Sequence, residues 1–303
     1  MSWDKHISDY KKYLRIERGL SSNTYDAYLQ DVAKLKNYVE NNYPGTSPLK
    51  VTPQIIASFV MFIASRYEAR TQARIISGVK SFYGYLLYAE KIKEDPTVLI
   101  ESPKLGSKLP VVLTVDEIDS MINAIDLSKP EGHRNKAIIE TLYGCGLRVS
   151  ELVNLKISNV NFEEKYLRIF GKGSKERIVP INDRALSEIK IYLDHYRKKM
   201  FVKKGNEDIL FLNRRGAKLT RFMINAIVRD LAEKAGINKN VTPHTFRHSF
   251  ATHLIEGGAD LRAVQEMLGH ESILTTEIYT HLDRNYLRET IIEHHPRSKK
   301  DEL

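Results

Sequence analysis

The stretch that decides the fold of this chain runs from residue 243 to residue 279 and reads PHTFRHSFATHLIEGGADLRAVQEMLGHESILTTEIY. Pro243 suits the first position of a helix, because its missing N–H would have no intrahelical partner there. His244 and Arg247 then fall one helical turn apart on the same face. The backbone N–H groups and the positive dipole end at the start of such a helix favour a bound anion. The stretch therefore predicts a helix that opens on a cationic, phosphate-binding pocket.

The second half of the stretch predicts a shorter helix between two turns. Asp260 suits its N-cap, and Gly269 suits the left-handed residue that ends it. His270 follows on the same tight corner. Tyr279 is close enough in sequence for compact turns to return it to the pocket, so we take its hydroxyl as a candidate nucleophile.

Working outward, two more cationic side chains are predicted to lie on turns. The helix before Gly146 ends at a pair of glycines, which leaves Arg148 between two helical pieces. Glu151, three residues further on, is spaced to hold the guanidinium of Arg148. The β-rich runs 166–170 and 176–180 predict a hairpin with Lys172 near its tip.

Hydrophobic periodicity predicts a mainly α-helical chain with a small antiparallel β-sheet. The 303 residues also predict two domains, since single cores stop growing near ~250 residues. Residues 1–95 carry four amphipathic helical patterns, and Thr52-Pro53 is a cap and first-turn signal for the third. Residues 96–110 lack apolar periodicity and are predicted to be a linker. Residues 111–303 form the second predicted domain, which ends in an amphipathic helix that must dock on its own chain or on a neighbour.

The net charge of +9 and the pI near 9.3 favour a polyanionic partner, which a basic surface attracts by neutralising phosphates. The single Cys145 excludes an internal disulfide framework and fits a reducing cytoplasm. The start of the chain lacks the apolar core of a signal peptide, so we expect a cytoplasmic protein that makes no membrane contact. Charge alone does not choose between DNA, RNA and membrane. The exposed basic positions of the first four helices suit a surface that lies on a phosphate backbone, and a merely solvated face would look similar; these positions are Lys11, Lys12, Arg66, Arg70, Arg74 and Lys80.

A zinc site is an alternative interpretation of the histidines near residue 244. His244 and His248 are four residues apart, as in a metalloprotease helix, and His253 follows. Thr245 stands where that motif needs its glutamate, and no cysteine cluster completes a site. We therefore expect no metal and treat His248 and His253 as structural residues.

Six residues in these contexts together resemble the catalytic set of the tyrosine recombinases, and within that family the chain is most similar to Xer recombinases of the XerC and XerD type. The six residues are Arg148, Lys172, His244, Arg247, His270 and Tyr279. The motifs that carry the resemblance are GLRVSEL at 146–152, Gly-Lys-Gly at 171–173, HTFRHSFATH at 244–253, LGH at 268–270, YTH at 279–281 and the ending His295-Pro296-Arg297. Together with the four-helix start, the resemblance covers nearly the whole chain.

The resemblance implies an N-terminal SAM-like core-binding domain and a C-terminal catalytic domain that clamp double-stranded DNA. It implies metal-independent transesterification without a cofactor, in which Tyr279 forms a 3′-phosphotyrosyl intermediate and strands exchange through a Holliday junction. Arg148 and Arg247 would pair with the non-bridging oxygens, and His270 would add a hydrogen bond. Lys172 would protonate the leaving 5′-oxygen.

Three further expectations come from the same resemblance. His244 would handle the tyrosine proton, Glu151 would support Arg148, and His281 would be structural. The partners would be a specific recombination site, a homo- or hetero-tetramer held by exchange of C-terminal helices, a second Xer recombinase, and a DNA translocase as regulator. The cellular role would be resolution of chromosome dimers at cell division.

Four other functions remain as alternatives. A phage or mobile-element integrase usually carries an extra arm-binding domain, for which no residues remain here. A type IB topoisomerase rejoins the same DNA ends, whereas a small helical first domain and a docking C-terminal helix favour an assembly of four subunits. From other classes, a DNA-binding protein without catalysis would form no covalent adduct with DNA, and a zinc hydrolase would have an activity that a chelator abolishes.

Overall fold

The computed structural model describes residues 2–104, 106, 110–171, 176–269 and 281–298. The chain divides into two compact units, Met1–Lys108 and Leu109–Leu303. Each unit has its own hydrophobic core.

The first unit is built from helices with one buried face each. Its helices are α1 Trp3–Ile16, α2 Ser22–Asn42, α3 Pro53–Ala64 and α4 Ala69–Tyr88. The start of α3 is the one that the sequence predicts, because the Thr52 hydroxyl accepts the N–H of Ile55 and Pro53 takes the first helical position. Large buried side chains, among them Tyr10, Phe59 and Phe82, fill the space between the helices.

The second unit combines helices with one small sheet. Its helices are α5 Val115–Asn123, α6 Pro130–Cys145, α7 Val149–Val153, α8 Asp183–Ile191, α9 Arg221–Lys234, α10 Pro243–Glu256, α11 Leu261–Leu268 and α12 His281–His294. Its strands are β1 Val160–Asn161, β2 Tyr166–Phe170 and β3 Glu176–Pro180, antiparallel in the order β1-β2-β3. The predicted bounds of β2 and β3 are confirmed, and so is the fold class of a mainly helical chain with a small antiparallel sheet.

Gly146, between α6 and α7, lies against side chains of two later helices. Its φ of +57° lies in the left-handed region, which glycine adopts without strain. A Cβ on this residue would lie 2.5 Å from Cδ1 of Phe250 in α10 and 3.0 Å from Cδ2 of Leu268 in α11. The absent side chain therefore lets the turn that precedes Arg148 pack directly on α10 and α11.

The last helix, α12, packs on its own chain. It contacts α10, α11 and β3, and its Leu287 and Ile291 are buried. The segment that follows is also held in place, since the guanidinium of Arg297 pairs with Asp119 at 2.5 Å. Among the described helices, none has both the length and the apolar character needed to cross a membrane.

Candidate active site

Arg148 is held at the start of α7 by the residue that the spacing predicts. Oε2 of Glu151 accepts the backbone N–H of Arg148 at 2.8 Å, and Oε1 accepts its Nη1 at 3.0 Å. Nη2 donates to the carbonyl oxygen of Gly269 at 3.0 Å. The side chain of Arg148 is 37% exposed, whereas that of Glu151 is 4% exposed. The guanidinium therefore has a buried anchor and an accessible side.

Arg247 lies in the first turns of α10, which begins at Pro243 as predicted. The hydroxyl of Thr242 accepts the N–H of Thr245 and caps the helix. Nη1 of Arg247 donates to the Gly146 carbonyl at 2.8 Å, and Nη2 donates to the Leu268 carbonyl at 2.6 Å. The two guanidinium groups predicted to bind one phosphate thus lie on carbonyl groups of adjacent residues, Leu268 and Gly269.

A third arginine, Arg177 of β3, completes a cluster at the end of α11. Its Nε donates to the Met267 carbonyl at 2.9 Å. Three successive carbonyl oxygens, those of residues 267, 268 and 269, therefore accept hydrogen bonds from three different arginines. The last carbonyl groups of a helix have no intrahelical partners and form the negative end of its dipole, which suits a cation. Gly269 ends α11 in the left-handed conformation, with φ +64°, as predicted.

The charges of this cluster do not balance among its own members. The cluster contains three guanidinium groups and one carboxylate, that of Glu151, which pairs with Arg148 and Arg177, and this leaves an excess of positive charge. Burial, together with the charges of Arg148 and Arg177, lowers the pKa of Arg247 to about 10. Burial by itself would raise the pKa of Glu151, but its bonds to Arg177 and Arg148 hold that pKa below the ordinary 4.5. An anion placed against this cluster would relieve the repulsion.

The histidines near Arg247 occupy different environments. His244 is exposed in the first turn of α10, His248 is half-buried, and His253 is buried with its Nδ1 2.8 Å from the hydroxyl of Tyr143. Burial lowers the pKa of His253, which suits a neutral hydrogen-bonding role. Within the described ranges, no three His, Cys, Asp or Glu side chains are grouped so that they could hold a metal ion.

Three of the predicted site residues, Lys172, His270 and Tyr279, lie outside the described residues. The described chain reaches the residue before two of them, Gly171 before Lys172 and Gly269 before His270. The side chain of His281 is not described either. The roles assigned to these residues remain predictions.

Arg177 was not predicted as a site residue, although the sequence contains a signal for it. In β3 it shares the inward face with Val179, and Ile169 lies opposite it in β2. A charged side chain at a strand position that alternation makes buried needs a partner. The identity of that partner, Glu151, follows only from the tertiary structure, where Nη1 and Nη2 of Arg177 both donate to it at 2.8 Å.

The first unit carries the six basic residues predicted to contact DNA. Lys80 is half-buried, and the other five are exposed. The guanidinium of Arg74 pairs with the fully buried carboxylate of Asp31 at 2.5 Å, and that of Arg66 lies 4.0 Å from the ring centre of Phe62. These two cations are therefore fixed on the surface by neighbouring side chains.

Comparison with known protein families gives two matches to this chain. Residues 111–285 match the phage integrase family, and residues 7–90 match the phage integrase N-terminal SAM-like domain. The two matches together span most of both units.

Individual relatives agree with these matches. The chain is 42% identical over 293 residues to tyrosine recombinase XerD of Staphylococcus epidermidis, a similarity that covers 96% of this chain and 99% of the relative. The crystal structure of the XerH site-specific recombinase bound to palindromic difH substrate is similar with a TM-score of 0.69 and 25% identity, over 94% of this chain and 84% of that one. The Tn1549 transposon integrase shares the fold, with a TM-score of 0.71 and 21% identity over 93% of this chain and 94% of that one. These similarities confirm the resemblance predicted from the motifs.

We predict that Glu151→Gln lowers the free energy of unfolding at pH 7 by about 3 kcal/mol, because it leaves buried Arg177 without its counter-charge. Since the pKa of Glu151 is depressed in the folded chain, its carboxylate stabilises the fold above the ordinary pKa of 4.5, and this contribution disappears as the pH falls through the lower folded value. The difference in the free energy of unfolding between the unaltered chain and Glu151→Gln should therefore be constant from pH 7 to pH 5 and shrink towards pH 3. Urea unfolding of both proteins at each pH measures it, and an unchanged difference at pH 3 would contradict an ionised Glu151.

Proposed function

Because the chain belongs to the phage integrase family and is a site-specific tyrosine recombinase of the Xer type, we propose that Tyr279 cleaves one DNA strand and carries it covalently until it is rejoined. Reversible cleavage without an energy source requires that the energy of the broken bond be kept, and a tyrosyl phosphodiester keeps it. The partner is double-stranded DNA at a recombination site.

The observation that carries this proposal is the convergence of Arg148 and Arg247. Their guanidinium groups come from separate segments and donate to the carbonyl groups of adjacent residues, Gly269 and Leu268. Each guanidinium has five N–H donors, of which these contacts and those to Glu151 and Gly146 use two. The remaining donors suit the non-bridging oxygens of a single phosphate, since planar forks pair with phosphate bidentately.

The proposed reaction starts when the phenolic oxygen of Tyr279 attacks phosphorus. The bond from phosphorus to the 5′-oxygen breaks, which gives a 3′-phosphotyrosyl link and a 5′-hydroxyl. Negative charge that builds on the non-bridging oxygens is balanced by Arg148 and Arg247, with a hydrogen bond from His270. Lys172 gives its proton to the leaving 5′-oxygen.

The other proton transfer and the return step complete the proposal. His244, exposed at the start of α10, accepts the proton of the tyrosine hydroxyl. The 5′-hydroxyl of a second strand then attacks the phosphotyrosyl link and expels the tyrosine. Repetition on the other pair of strands passes through a Holliday junction and exchanges the duplexes.

The proposed assembly uses both units of the chain. Residues 1–95 form a core-binding domain, 96–110 a linker and 111–303 a catalytic domain, and the two domains clamp the duplex. Four subunits, alike or of two Xer types, bind one pair of sites. The buried apolar face of α12 supports exchange of this helix between subunits, since a neighbour can offer the same surface that α12 covers in its own chain.

The proposed cellular role is resolution of chromosome dimers in the cytoplasm at cell division, under a DNA translocase. The similarity to XerD over nearly the full length of both proteins supports this role over that of a mobile-element integrase.

If this role is right, DNA recovered with the immunoprecipitated protein should contain one predominant site near the replication terminus. Sequencing of that DNA measures the distribution. Recovery mainly of mobile-element ends would favour an integrase instead. The recovered site also provides the substrate for the experiments below.

We expect Tyr279→Phe to bind this site with unchanged affinity and to form no covalent adduct, because the variant lacks only the nucleophilic oxygen. A duplex nicked near the cleavage point traps the adduct of the unaltered chain, which denaturing gels detect. An adduct formed by Tyr279→Phe would refute the assignment. Tyr286→Phe is a matched control, because Tyr286 is half exposed on α12. This variant should form the adduct as the unaltered chain does. Absence of an adduct from the unaltered chain would favour simple DNA binding, and DNA cleavage that a chelator abolishes would favour a zinc enzyme.

Lys172→Ala should slow cleavage of ordinary DNA by about 10²- to 10⁴-fold, the usual contribution of a general acid. It should have little effect on a substrate with sulfur at the bridging 5′ position, because a thiolate leaves without a proton. Single-turnover rates on the two substrates measure the difference. Equal losses on both would remove Lys172 from the acid role.

A further inference from the structure

The carboxylate of Glu151 is shared between two arginines in a fixed pattern. Its Oε1 accepts Nη1 of Arg148 at 3.0 Å and Nη1 of Arg177 at 2.8 Å. Its Oε2 accepts the backbone N–H of Arg148 and Nη2 of Arg177, both at 2.8 Å. Each oxygen thus accepts two hydrogen bonds. Arg177 takes the bidentate position, and the Arg148 side chain is left with a single bond to the carboxylate.

Burial of the charged Arg177 side chain costs free energy of desolvation, which indicates that its position has a use beyond stability. Its side chain is 7% exposed and shares the inward face of the sheet with Val179 and Ile169. An ion pair buried in such surroundings is often no more stable than apolar side chains of similar volume. The three hydrogen bonds of Arg177, two to Glu151 and one to the Met267 carbonyl, fix its guanidinium between α7 and α11.

This arrangement decides how Arg148 is presented. An arginine and a carboxylate left to themselves favour the bidentate geometry, with two parallel N–H to oxygen bonds. If Arg177 were absent, Glu151 could pair bidentately with Arg148. That pairing would occupy N–H donors of Arg148 that a phosphate needs. With Arg177 in place, the fork of Arg148 stays turned towards Gly269 and its exposed side.

The contact with α11 ties the same guanidinium to the backbone next to the site. A Cβ on Gly269 would lie 3.0 Å from Cδ of Arg177, so the helix end and the arginine stem are in close contact. Arg177 therefore links β3, which follows the Lys172 segment in sequence, to the turn of Arg148 and to the end of α11.

We propose that Arg177 is a positioning residue for strand cleavage: it occupies Glu151 bidentately and so keeps the guanidinium of Arg148 available to the scissile phosphate. This inference rests on the proposed function, because it assumes that Arg148 binds that phosphate. Arg177 itself acts through Glu151 and touches neither DNA nor the reacting atoms.

The test compares Arg177→Met with the unaltered chain on two nicked duplexes of the recovered site. One carries an ordinary scissile phosphate, and the other carries a methylphosphonate, which is uncharged before the attack. We expect Arg177→Met to slow adduct formation on the ordinary duplex by about 10²-fold, the usual effect of a misplaced group. On the methylphosphonate the two proteins should differ by less than about threefold, because a methyl group replaces one charged non-bridging oxygen and leaves one negative charge less for Arg148 to balance in the transition state.

A double variant separates action through Glu151 from a general loss of structure. In the Glu151→Gln background, Arg177→Met should change the rate on ordinary DNA by less than about threefold, because the shared partner is already gone. A loss as large as that in the unaltered background would overturn the proposal.

Two further variants separate the role of Arg177 in cleavage from its contribution to folding stability. Arg177→Lys keeps the charge but cannot pair bidentately, so it provides the same two-substrate comparison if Arg177→Met does not fold. Arg197→Met removes another buried arginine of the same unit, one whose bonds go to the carbonyl groups of Asn206, Glu207 and Ile209. It should lower the melting temperature and leave both rates unchanged below that temperature.

The outcomes distinguish the two proposals. A full rate of Arg177→Met or Arg177→Lys on ordinary DNA, or equal losses on both duplexes, overturns the role of Arg177 while the unaltered chain still forms its adduct. Absence of adduct from the unaltered chain overturns the proposed function and this inference together.

Discussion

The hydrogen bonds between three arginines and the carbonyl groups at the end of α11 are the contacts on which the described part of the site depends. Arg177, Arg247 and Arg148 donate to the carbonyl oxygens of Met267, Leu268 and Gly269 respectively. The last carbonyl groups of a helix lack intrahelical partners and carry negative partial charge, so they stabilise cations that would otherwise repel one another. Because the three arginines come from β3, from α10 and from the turn before α7, one helix end sets the positions of three separate segments.

The same cluster is a compromise between stability and chemistry. Three guanidinium groups and one carboxylate leave positive charge without a counter-charge, and burial lowers the pKa of Arg247. A fold selected for stability alone would place apolar side chains or a second acid there. The excess charge has a use if an anion is the ligand, since the groups are already desolvated and oriented before the phosphate arrives.

The basic residues of the two units differ in how they can act on DNA. Exposed cations of the first unit, such as Arg70, are suited to attracting a phosphate backbone without fixed geometry, an attraction whose strength falls with salt. Arg74, paired with buried Asp31, is an intermediate case. The arginines at the end of α11 are held by defined hydrogen bonds, so they suit a reaction whose charge develops at one place. In the proposed function, attraction and catalysis thus depend on arginines in different environments.

The sequence by itself determined the local features of this protein, because each depends on neighbours within one turn or one hairpin. Pro243 starts α10, Gly269 ends α11, β2 and β3 have their predicted bounds, and Glu151 holds Arg148 across three residues. The family motifs added the set of site residues, of which Lys172, His270 and Tyr279 lie outside the described residues. Only the tertiary structure decided that Arg177 would share Glu151 and bind Met267, and that Arg148 and Arg247 would meet at one helix end. Those contacts join residues far apart in the chain, and side-chain spacing carries no information about which distant carbonyl a buried guanidinium will reach.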